Sequence, residues 1–254
     1  MRVVSLCPSL TELVFDLGLG DALVGRTKFC IHPAEEVGGV ETMGGTKNPK
    51  VERIVALAPD VVLMNAEENR EEDARALEAA GLRLHVSMPR TPEETAAIVR
   101  DIAATLGVSA AGEPIAADIE QRAARVRAAS RDRPPVRYAY LIWREPWMTV
   151  SDDTFIAELL GMAGGVNVCG GSPERYPTVE PPDLAKSEPE VVLLSSEPFP
   201  FAQKHVAELA ALLGWAERRF VLVDGELLSW HGSRTPRGID YAEQVMEGVR
   251  SPNV

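Results

Sequence analysis

The sequence predicts an α/β protein with two similar lobes joined by one long α-helix. Three observations lead to this prediction. Short apolar runs of strand length alternate with segments of helical pattern in both halves of the chain. A stretch with few helix breakers, from Ser109 to about Arg131, separates these halves. The segments Glu52–Leu63 and Pro182–Leu193 also share one pattern, in which a helix is followed by x-Pro-acid and then by an apolar run.

The first lobe, residues 1–107, is predicted to repeat the strand–helix unit. Its predicted strands are Val3–Leu6, Leu23–Arg26, Val61–Met64 and Leu82–Val86. Its predicted helices are one opening at Pro8, Glu52–Leu57, Glu71–Ala80, and one from Pro92 to near Gly107. Ser9 and Glu12 are spaced as a capping box for the first helix, and Thr91 is placed as the N-cap of the last. This alternation indicates a parallel sheet that is covered on both faces.

Residues 108–133 are predicted to form the bridging helix. An apolar stripe at helical spacing runs along it, at Ile115, Ile119, Ala123, Val126 and Ala129. About 20 residues in a helix span roughly 30 Å, which suits a connection between two lobes. Two consecutive prolines, Pro134 and Pro135, end the pattern.

The second lobe, residues 134–254, restarts the alternation. Its predicted strands are Val136–Ile142, Glu190–Leu194 and Arg219–Val223. Its predicted helices are Asp153–Gly161, Asp183–Lys186, Ala202–Leu213 and Arg237–Val249. The pattern shared with the first lobe has a simpler alternative, which is chance use of a common helix-to-strand turn.

Composition narrows the classes of function. The chain has 254 residues and a net charge of −12, so its surface repels nucleic acid and anionic lipid. Its three cysteines are Cys7, Cys30 and Cys169, and none of them forms a C-x-x-C motif with another. This spacing argues against a disulfide framework or a structural zinc site. No run is apolar enough for a membrane span, and no signal peptide is visible. We therefore expect a cytoplasmic protein if the sequence is complete, and a periplasmic or surface-anchored one if a leader was removed.

Candidate binding residues of the first lobe follow its strands, because ligands of parallel sheets bind outside the carboxyl ends of the strands. In the loop after Leu23–Arg26, Lys28, Cys30 and His32 alternate, so extended chain would direct them to one side. His32 is also a candidate metal contact. The alternative is a buried Cys30 and a surface His32.

Two further first-lobe segments carry candidate residues. The segment from Gly44 to Pro49 contains Lys47 and Asn48, and its glycines permit close approach to a ligand or form an ordinary turn. The segment after Val61–Met64 contributes Glu67, Asn69 and Arg70. Its alternative interpretation is a solvated helix start, in which acids complement the helix dipole.

The second lobe adds aromatic and cationic side chains. Trp143 and Arg144 follow the first strand of this lobe, and an arginine beside a tryptophan suits a flat or anionic ligand. The other candidates in later loops are Arg175, Tyr176, Glu197, Trp230, His231 and Arg234. The alternatives to ligand contact are tryptophans that belong to the core and loops without a binding role. Signatures of catalysis such as G-x-S-x-G, H-E-x-x-H and G-x-G-x-x-G are missing from the sequence.

Over almost its whole length the chain resembles the helical-backbone metal-receptor family, the substrate-binding proteins of cobalamin and ferric-siderophore importers. The segments that carry the resemblance are Ser5–Leu13, Glu52–Leu63, Trp143–Ser151 and Ser229-Trp230. A leaderless, cobalamin-binding-like subgroup shares the Lys-Phe-Cys-Ile-His-Pro, Glu-Glu-Asn-Arg and Ser-Ser-Glu-Pro motifs. The resemblance implies two Rossmann-like lobes with short parallel sheets bridged by one long helix, the class III periplasmic-binding-protein type.

The resemblance also implies a site and partners. Ser229-Trp230 lies where cobalamin binders carry a ligand-contacting tryptophan, and Glu71 or Glu72 would dock arginines of an ABC permease. The implied protein is a monomer without a tightly bound cofactor, whose ligand carries cobalt or iron. The predicted cleft differs from that of cobalamin binders in its cations, which suit an anionic ligand. They are Lys28, Lys47, Arg70, Arg144, Arg175 and Arg234.

Two functional hypotheses follow. In the first, the protein is a non-enzymatic receptor of ABC-importer type that holds a corrinoid or an anionic ferric siderophore between its lobes. In the second, it is an intracellular enzyme or sensor for a small anionic ligand or metal chelate, with acid–base or nucleophilic groups from Cys30, His32, Glu67 and His231. Under both hypotheses we expect the protein neither to bind nucleic acid nor to insert into a membrane.

Overall fold

The computed structural model describes residues 1–251, and these divide into two compact units. The first unit comprises Met1–Pro89, Glu93–Ile119 and His231–Arg234. The second comprises Arg90–Pro92, Glu120–Trp230 and the chain from Thr235 onward. This division differs from the predicted boundaries, because the long helix is shared between the units and a short segment near the C-terminus belongs to the first.

The first unit contains a parallel sheet with the strand order β2-β1-β5-β6. The strands of this unit are β1 (Val3–Ser5), β2 (Leu23–Arg26), β3 (Gly44–Gly45), β4 (Asn48–Pro49), β5 (Val61–Asn65) and β6 (Leu84–Ser87). The helices are α1 (Pro8–Asp16), α2 (Val51–Ala56), α3 (Glu71–Ala79), α4 (Pro92–Thr105) and α5 (Ser109–Ser130), the last continuing into the second unit. The predicted strand–helix alternation is confirmed, with boundaries that shift by at most about two residues at most ends.

The core of the first unit explains why its strands are continuous apolar runs. Every residue of β5 is buried, as expected for a strand that is covered on both faces. Val62 and Met64 of β5 pack with Val4, with Ile54 of α2 and with Leu77 of α3. Burying a side chain of this size stabilises the fold by roughly 1.5–3 kcal/mol.

The predicted capping box of the first helix is wrong. Pro8 begins α1, so Cys7 is the N-cap residue and makes no capping bond with its side chain. Ser9 therefore lies inside the first turn, where it is buried. A proline favours the first helical position because its fixed φ suits a helix and its missing N–H would have no partner there.

The second unit has a mixed sheet in the order β11-β10-β7-β8, with β9 also paired to β7. Its strands are β7 (Val136–Trp143), β8 (Met148–Thr149), β9 (Gly165–Asn167), β10 (Val191–Ser195) and β11 (Phe220–Val223). Its helices are α6 (Phe155–Met162), α7 (Pro181–Lys186), α8 (Gln203–Leu213), α9 (Gly225–Ser229) and α10 (Thr235–Arg250). The helix α9 and the short strands β8 and β9 were not predicted, and of these β8 is antiparallel to β7.

The predicted internal repeat is confirmed in detail. The helices α2 and α7 each lead into the central strand of their unit, β5 and β10. Ala58 and Glu188, which precede the matching prolines, both have positive φ, at 46° and 50°. Arg2 donates to the carbonyl of Leu57, and Arg137 donates to the carbonyl of Ser187, the equivalent residue of the second segment. The same helix–turn–strand segment therefore occurs in both units.

The predicted long helix is confirmed as α5, Ser109–Ser130. Gly112 and Pro114 lie near its start, where neither interrupts it. A Cβ at position 112 would lie 2.5 Å from Cβ of Ala103, so the glycine permits close packing of α5 on α4. None of the helices within residues 1–251 is both long and apolar enough to cross a bilayer.

Candidate functional site

In the first unit, buried Asn69 organises the loops at the carboxyl edge of the sheet. Its side-chain amide donates to the carbonyls of Leu6 and Thr46, each at 3.0 Å. Its Oδ1 accepts from the backbone N–H of Asn65 at 2.9 Å. These bonds link the end of β1, the β3–β4 hairpin and the turn after β5. The structure therefore gives this predicted ligand-binding residue a role in holding the edge together.

The loop after β2 has a different exposed face from the predicted one. Cys30 is fully buried, and burial raises the pKa of its thiol, whereas Phe29 and Ile31 are each 50% exposed. Arg26 shapes the loop by donating to the carbonyl of Cys30 at 3.0 Å. The expectation that Lys28, Cys30 and His32 share one face is therefore wrong, because this loop is not regular extended chain. Contact of Lys28 or His32 with a ligand remains a prediction.

The segment from Gly44 to Pro49 is a tight antiparallel hairpin, β3–β4. Gly44 has a φ of +94°, and a Cβ there would lie 2.6 Å from the carbonyl oxygen of Asn48. The turn itself thus requires the glycine. Nζ of Lys47 donates to the backbone carbonyl of Glu67 at 2.6 Å, which brings two predicted site residues together. Asn48 is exposed on this hairpin.

His231 is buried in the first unit between two serines. Its Nε2 lies 3.2 Å from Oγ of Ser87 and its Nδ1 lies 3.5 Å from Oγ of Ser9. Because Ser87 donates its hydroxyl hydrogen to the carbonyl of Met64, it accepts from Nε2–H of His231. Burial lowers the pKa of the imidazole to about 4, so the ring is neutral near pH 7.

Arg234 forms a buried, bidentate ion pair with Glu12 of α1. Its Nε and Nη2 donate to the two carboxylate oxygens at 2.7 and 2.8 Å. The arginine side chain is only 6% exposed. In the predicted loop from Trp230 to Arg234, the side chains of Trp230, His231 and Arg234 are therefore buried. His231 is bonded to α1 and β6, and Arg234 is bonded to α1.

In the second unit, Arg144 is held by acids beside it. Its Nε and Nη2 donate to the carboxylate of Glu208 at 2.9 and 2.8 Å, and its Nη1 lies 2.8 Å from Glu145. The pKa of the guanidinium is raised, chiefly by its hydrogen bonds with Glu208. Its guanidinium carbon also lies 5.9 Å from the ring of Trp147.

Trp143 and Phe199 form an aromatic surface at the carboxyl ends of β7 and β10, here named the aromatic shelf. Their ring centroids lie 5.8 Å apart with an interplanar angle of 70°, an edge-to-face contact. Trp143 is 40% exposed. Behind the shelf, Phe199 packs on Phe201 at 4.8 Å and on His205 at 5.1 Å.

In the sequence, Glu197 lies between the end of β10 and Phe199 of the shelf. Its Oε1 accepts from Oγ of Ser229 at 2.7 Å and from Nε1 of Trp230 at 2.8 Å. Trp230 is 9% exposed. Two residues predicted to contact ligand are therefore bonded to each other.

Ion pairing changes the interpretation of the predicted cations. Arg175 contacts Asp153 at 3.1 Å, and Arg70 contacts Glu72 at 3.3 Å. With Arg144 and Arg234, four of the six predicted cations therefore pair with acids of their own unit. Tyr176, beside Arg175, is partly buried, and its contact with a ligand remains a prediction.

Comparison with known proteins adds to this geometry. The family model described as "Periplasmic binding protein" matches residues 3–217. The chain belongs to the periplasmic binding protein family. Among curated members, the vitamin B12-binding protein of Vibrio cholerae serotype O1 is 26% identical over 96% of this chain and 87% of its own length. That of Vibrio parahaemolyticus is 28% identical over 76% of this chain and 70% of its own.

Solved structures of periplasmic binding proteins share the fold. The periplasmic vitamin B12-binding protein of Vibrio cholerae superposes with a TM-score of 0.84 at 23% identity, covering 98% of this chain and 97% of that one. The periplasmic heme-binding protein of Roseiflexus sp. RS-1 gives a TM-score of 0.83 at 23% identity, with the same coverage. The predicted class III periplasmic-binding-protein type, with α/β lobes and parallel sheets, is therefore confirmed.

The acids predicted to dock a permease are accessible in this periplasmic binding protein. Glu71 and Glu72 open α3, and their side chains are 77% and 73% exposed. Glu71 pairs with Arg75 at 2.5 Å, one helical turn away. Their accessibility permits docking, which remains a prediction.

Two of the candidate groups for an enzyme, Cys30 and His231, are buried and hydrogen-bonded to hydroxyl side chains. Cys30 is bonded to Thr27 at 3.2 Å, whereas His231 contacts two serines, and burial disfavours the charged form of each. Among residues 1–251, no group of three or more His, Cys, Asp or Glu is placed to hold a metal.

Several apolar residues at these edges were not predicted from the sequence. Phe29, Ile31, Met88 and Phe199 follow β2, β6 and β10, and the first three are at least 37% exposed. The available signal was a large apolar residue in a loop directly after a predicted parallel strand. The sequence-based prediction rests on polar, charged and tryptophan or tyrosine side chains in these loops, so it does not include these four residues.

Proposed function

We propose that this chain is the substrate-binding component of an ABC-type importer and that it captures a metal-bearing organic ligand. The principal candidate is a corrinoid such as cobalamin. The observation that carries the proposal is the aromatic shelf at the carboxyl edge of the second unit's sheet, where Trp143 is exposed and packs on Phe199. An exposed tryptophan that packs on a partly buried phenylalanine at such an edge suits a ligand with an extended apolar face.

Charge pairing supports this choice over an acidic ligand. Arg144 and Arg234, which were predicted to bind acids of the ligand, each make a bidentate contact with a carboxylate of the protein. An anionic ligand would have to compete with these bonds. A ferric siderophore remains the second candidate, because Lys28 lies exposed beside Phe29, with Nζ 4.9 Å from the ring centroid.

In this proposal the cobalt or iron arrives with the ligand, and the protein needs no tightly bound cofactor. His32 is retained as a candidate contact for that metal. It is partly buried in the loop that also carries Phe29 and Ile31, so a ligand against those side chains would lie near it. Neutral imidazole is a common ligand of such metals.

The proposal also includes a permease partner and a location. The vitamin B12- and heme-binding structures that share the fold are described as periplasmic, and delivery to an importer requires a receptor outside the cytoplasmic membrane. Glu71 and Glu72 are the proposed contacts with basic residues of the permease, because their carboxylates are exposed. We propose that the receptor is monomeric.

The proposal is tested by titration of the purified protein with cyanocobalamin, hemin and a ferric tris-catecholate, followed by tryptophan fluorescence. We expect saturable quenching by cyanocobalamin, with affinity reduced about tenfold or more in Trp143→Ala or Phe199→Ala. Tight binding of hemin instead would retain the receptor function and replace the corrinoid by a heme. Leu212→Ala is the matched control, because Leu212 is also exposed in the second unit but lies at the end of α8.

Other outcomes separate the alternatives. Tight binding of the tris-catecholate alone, weakened in Lys28→Ala, would replace the corrinoid by a siderophore. Conversion of any compound to a product would support the enzyme hypothesis. If none of the three compounds binds, the result contradicts the proposed function.

A further inference from the structure

Glu197 makes contacts within the second unit that no role in direct ligand contact accounts for. Its carboxylate oxygen Oε1 accepts two hydrogen bonds, from Ser229 at 2.7 Å and from Trp230 at 2.8 Å. These residues are the last of α9 and the one that follows it. The carboxylate thus ties the end of α9 to the loop after β10.

The same loop is anchored at other points. The backbone N–H of Glu197 donates to Oγ of Ser195 at 3.3 Å, and Ser195 in turn accepts from the hydroxyl of Tyr140 at 3.0 Å. Gly225 packs against it so closely that a Cβ would lie 2.6 Å from Cγ of Glu197. The position of Glu197 is therefore closely defined by β7, β10 and α9.

Phe199 follows two residues later and completes the aromatic shelf. Its backbone N–H donates to the carbonyl of Ile142 at 3.3 Å, and its ring contacts Trp143. Only Pro198 separates Glu197 from Phe199, so the two residues lie on one short segment after β10.

We propose that Glu197 is a positioning residue, which orients the aromatic shelf for ligand through its bonds to Ser229 and Trp230. This inference rests on the proposed function. It differs from the sequence-based prediction, in which Glu197 and Trp230 contact the ligand directly.

The test compares Glu197→Ala and Glu197→Gln in the full chain, with cyanocobalamin and hemin as probes. Alanine removes the acceptor, and we expect an affinity about tenfold lower. Glutamine keeps one side-chain oxygen that can accept both bonds, so we expect affinity within about threefold of wild type. Glu158→Ala is the matched control. Glu158 lies on α6 of the same unit, and its carboxylate pairs with Arg127 at 2.8 Å.

Each result has a defined meaning. The inference is supported if affinity falls in Glu197→Ala, is retained in Glu197→Gln and is native in Glu158→Ala. Equal loss in the alanine and glutamine variants would point to the carboxylate charge and overturn it. Native affinity in Glu197→Ala, or equal loss in Glu158→Ala, would also overturn it while leaving the proposed function intact. If wild type binds neither probe, the proposed function fails and this inference fails with it.

Discussion

At the scale of single residues, His231 links the stability of the first unit to pH. Burial lowers the pKa of the folded-state imidazole to about 4, from an ordinary value of 6.5. The unfolded chain therefore takes up this proton at higher pH than the folded chain does. The contribution of His231 to stability is complete above about pH 6.5 and is lost as the pH falls toward 4.

We therefore expect wild type to lose roughly 1–3 kcal/mol of unfolding free energy between pH 7 and pH 4.5 because of His231. Urea denaturation of wild type and His231→Gln at both pH values checks this. Glutamine does not titrate, so the difference between the two pH values should be smaller in the variant. Identical pH dependence in the two proteins would contradict the assignment.

Arg234 and Glu12 provide a second prediction at this scale. Removing the arginine leaves the carboxylate of Glu12, whose side chain is 16% exposed, without its bidentate partner. We expect Arg234→Ala to lower the unfolding free energy by about 3–5 kcal/mol, measured by urea denaturation.

Arg75→Ala is the control for this comparison. Arg75 pairs with Glu71, but both side chains are more than 70% exposed, so solvent screens the pair. We expect little or no change in stability for this variant. A similar small effect for Arg234→Ala would show that burial does not strengthen the pair with Glu12.

At the scale of secondary-structure elements, Thr154 is the N-cap of α6. Its Oγ1 accepts from the backbone N–H of Ala157 at 3.2 Å and donates to the carbonyl of Ser151 at 2.9 Å. The bond to Ala157 satisfies one of the N–H groups that a helix start leaves without an intrahelical partner.

We expect Thr154→Ala to destabilise the protein by about 1–2 kcal/mol, and Thr154→Ser to cost less because the hydroxyl is retained. Thermal unfolding of the three proteins measures the difference. If serine and alanine were equally destabilising, lost methyl packing rather than the cap would account for the effect.

At the scale of the whole molecule, ligand binding should appear as added stability. A ligand that binds only the folded state stabilises it by about 2.7 kcal/mol at a concentration of 100 times Kd. For a chain of this length we expect cyanocobalamin or hemin to raise Tm by roughly 5–10 °C. Duplex DNA should leave Tm unchanged, because the net charge of −12 opposes its binding. A shift produced by DNA instead would contradict the charge argument.

The sequence by itself determined the longer helices and strands and their order. The alternation of strands and helices, α5 and the repeat of α2–β5 in α7–β10 were predicted because hydrophobic periodicity and turn signals depend on neighbouring residues. The sequence also placed Trp143 at the carboxyl end of a strand, where it is exposed, and its contact with a ligand remains a prediction. The errors at α1 and at β8 arose from local choices that the pattern leaves open.

Only the tertiary structure decided which side chains are exposed and which are bonded to each other. His231 meets Ser9 and Ser87 from 222 and 144 residues away, and Arg234 meets Glu12 from 222 residues away. Nothing in the local pattern distinguishes such a cation from one available to a ligand. The physical reason is that hydrogen bonds and ion pairs depend on distance in space, and packing of remote segments determines that distance.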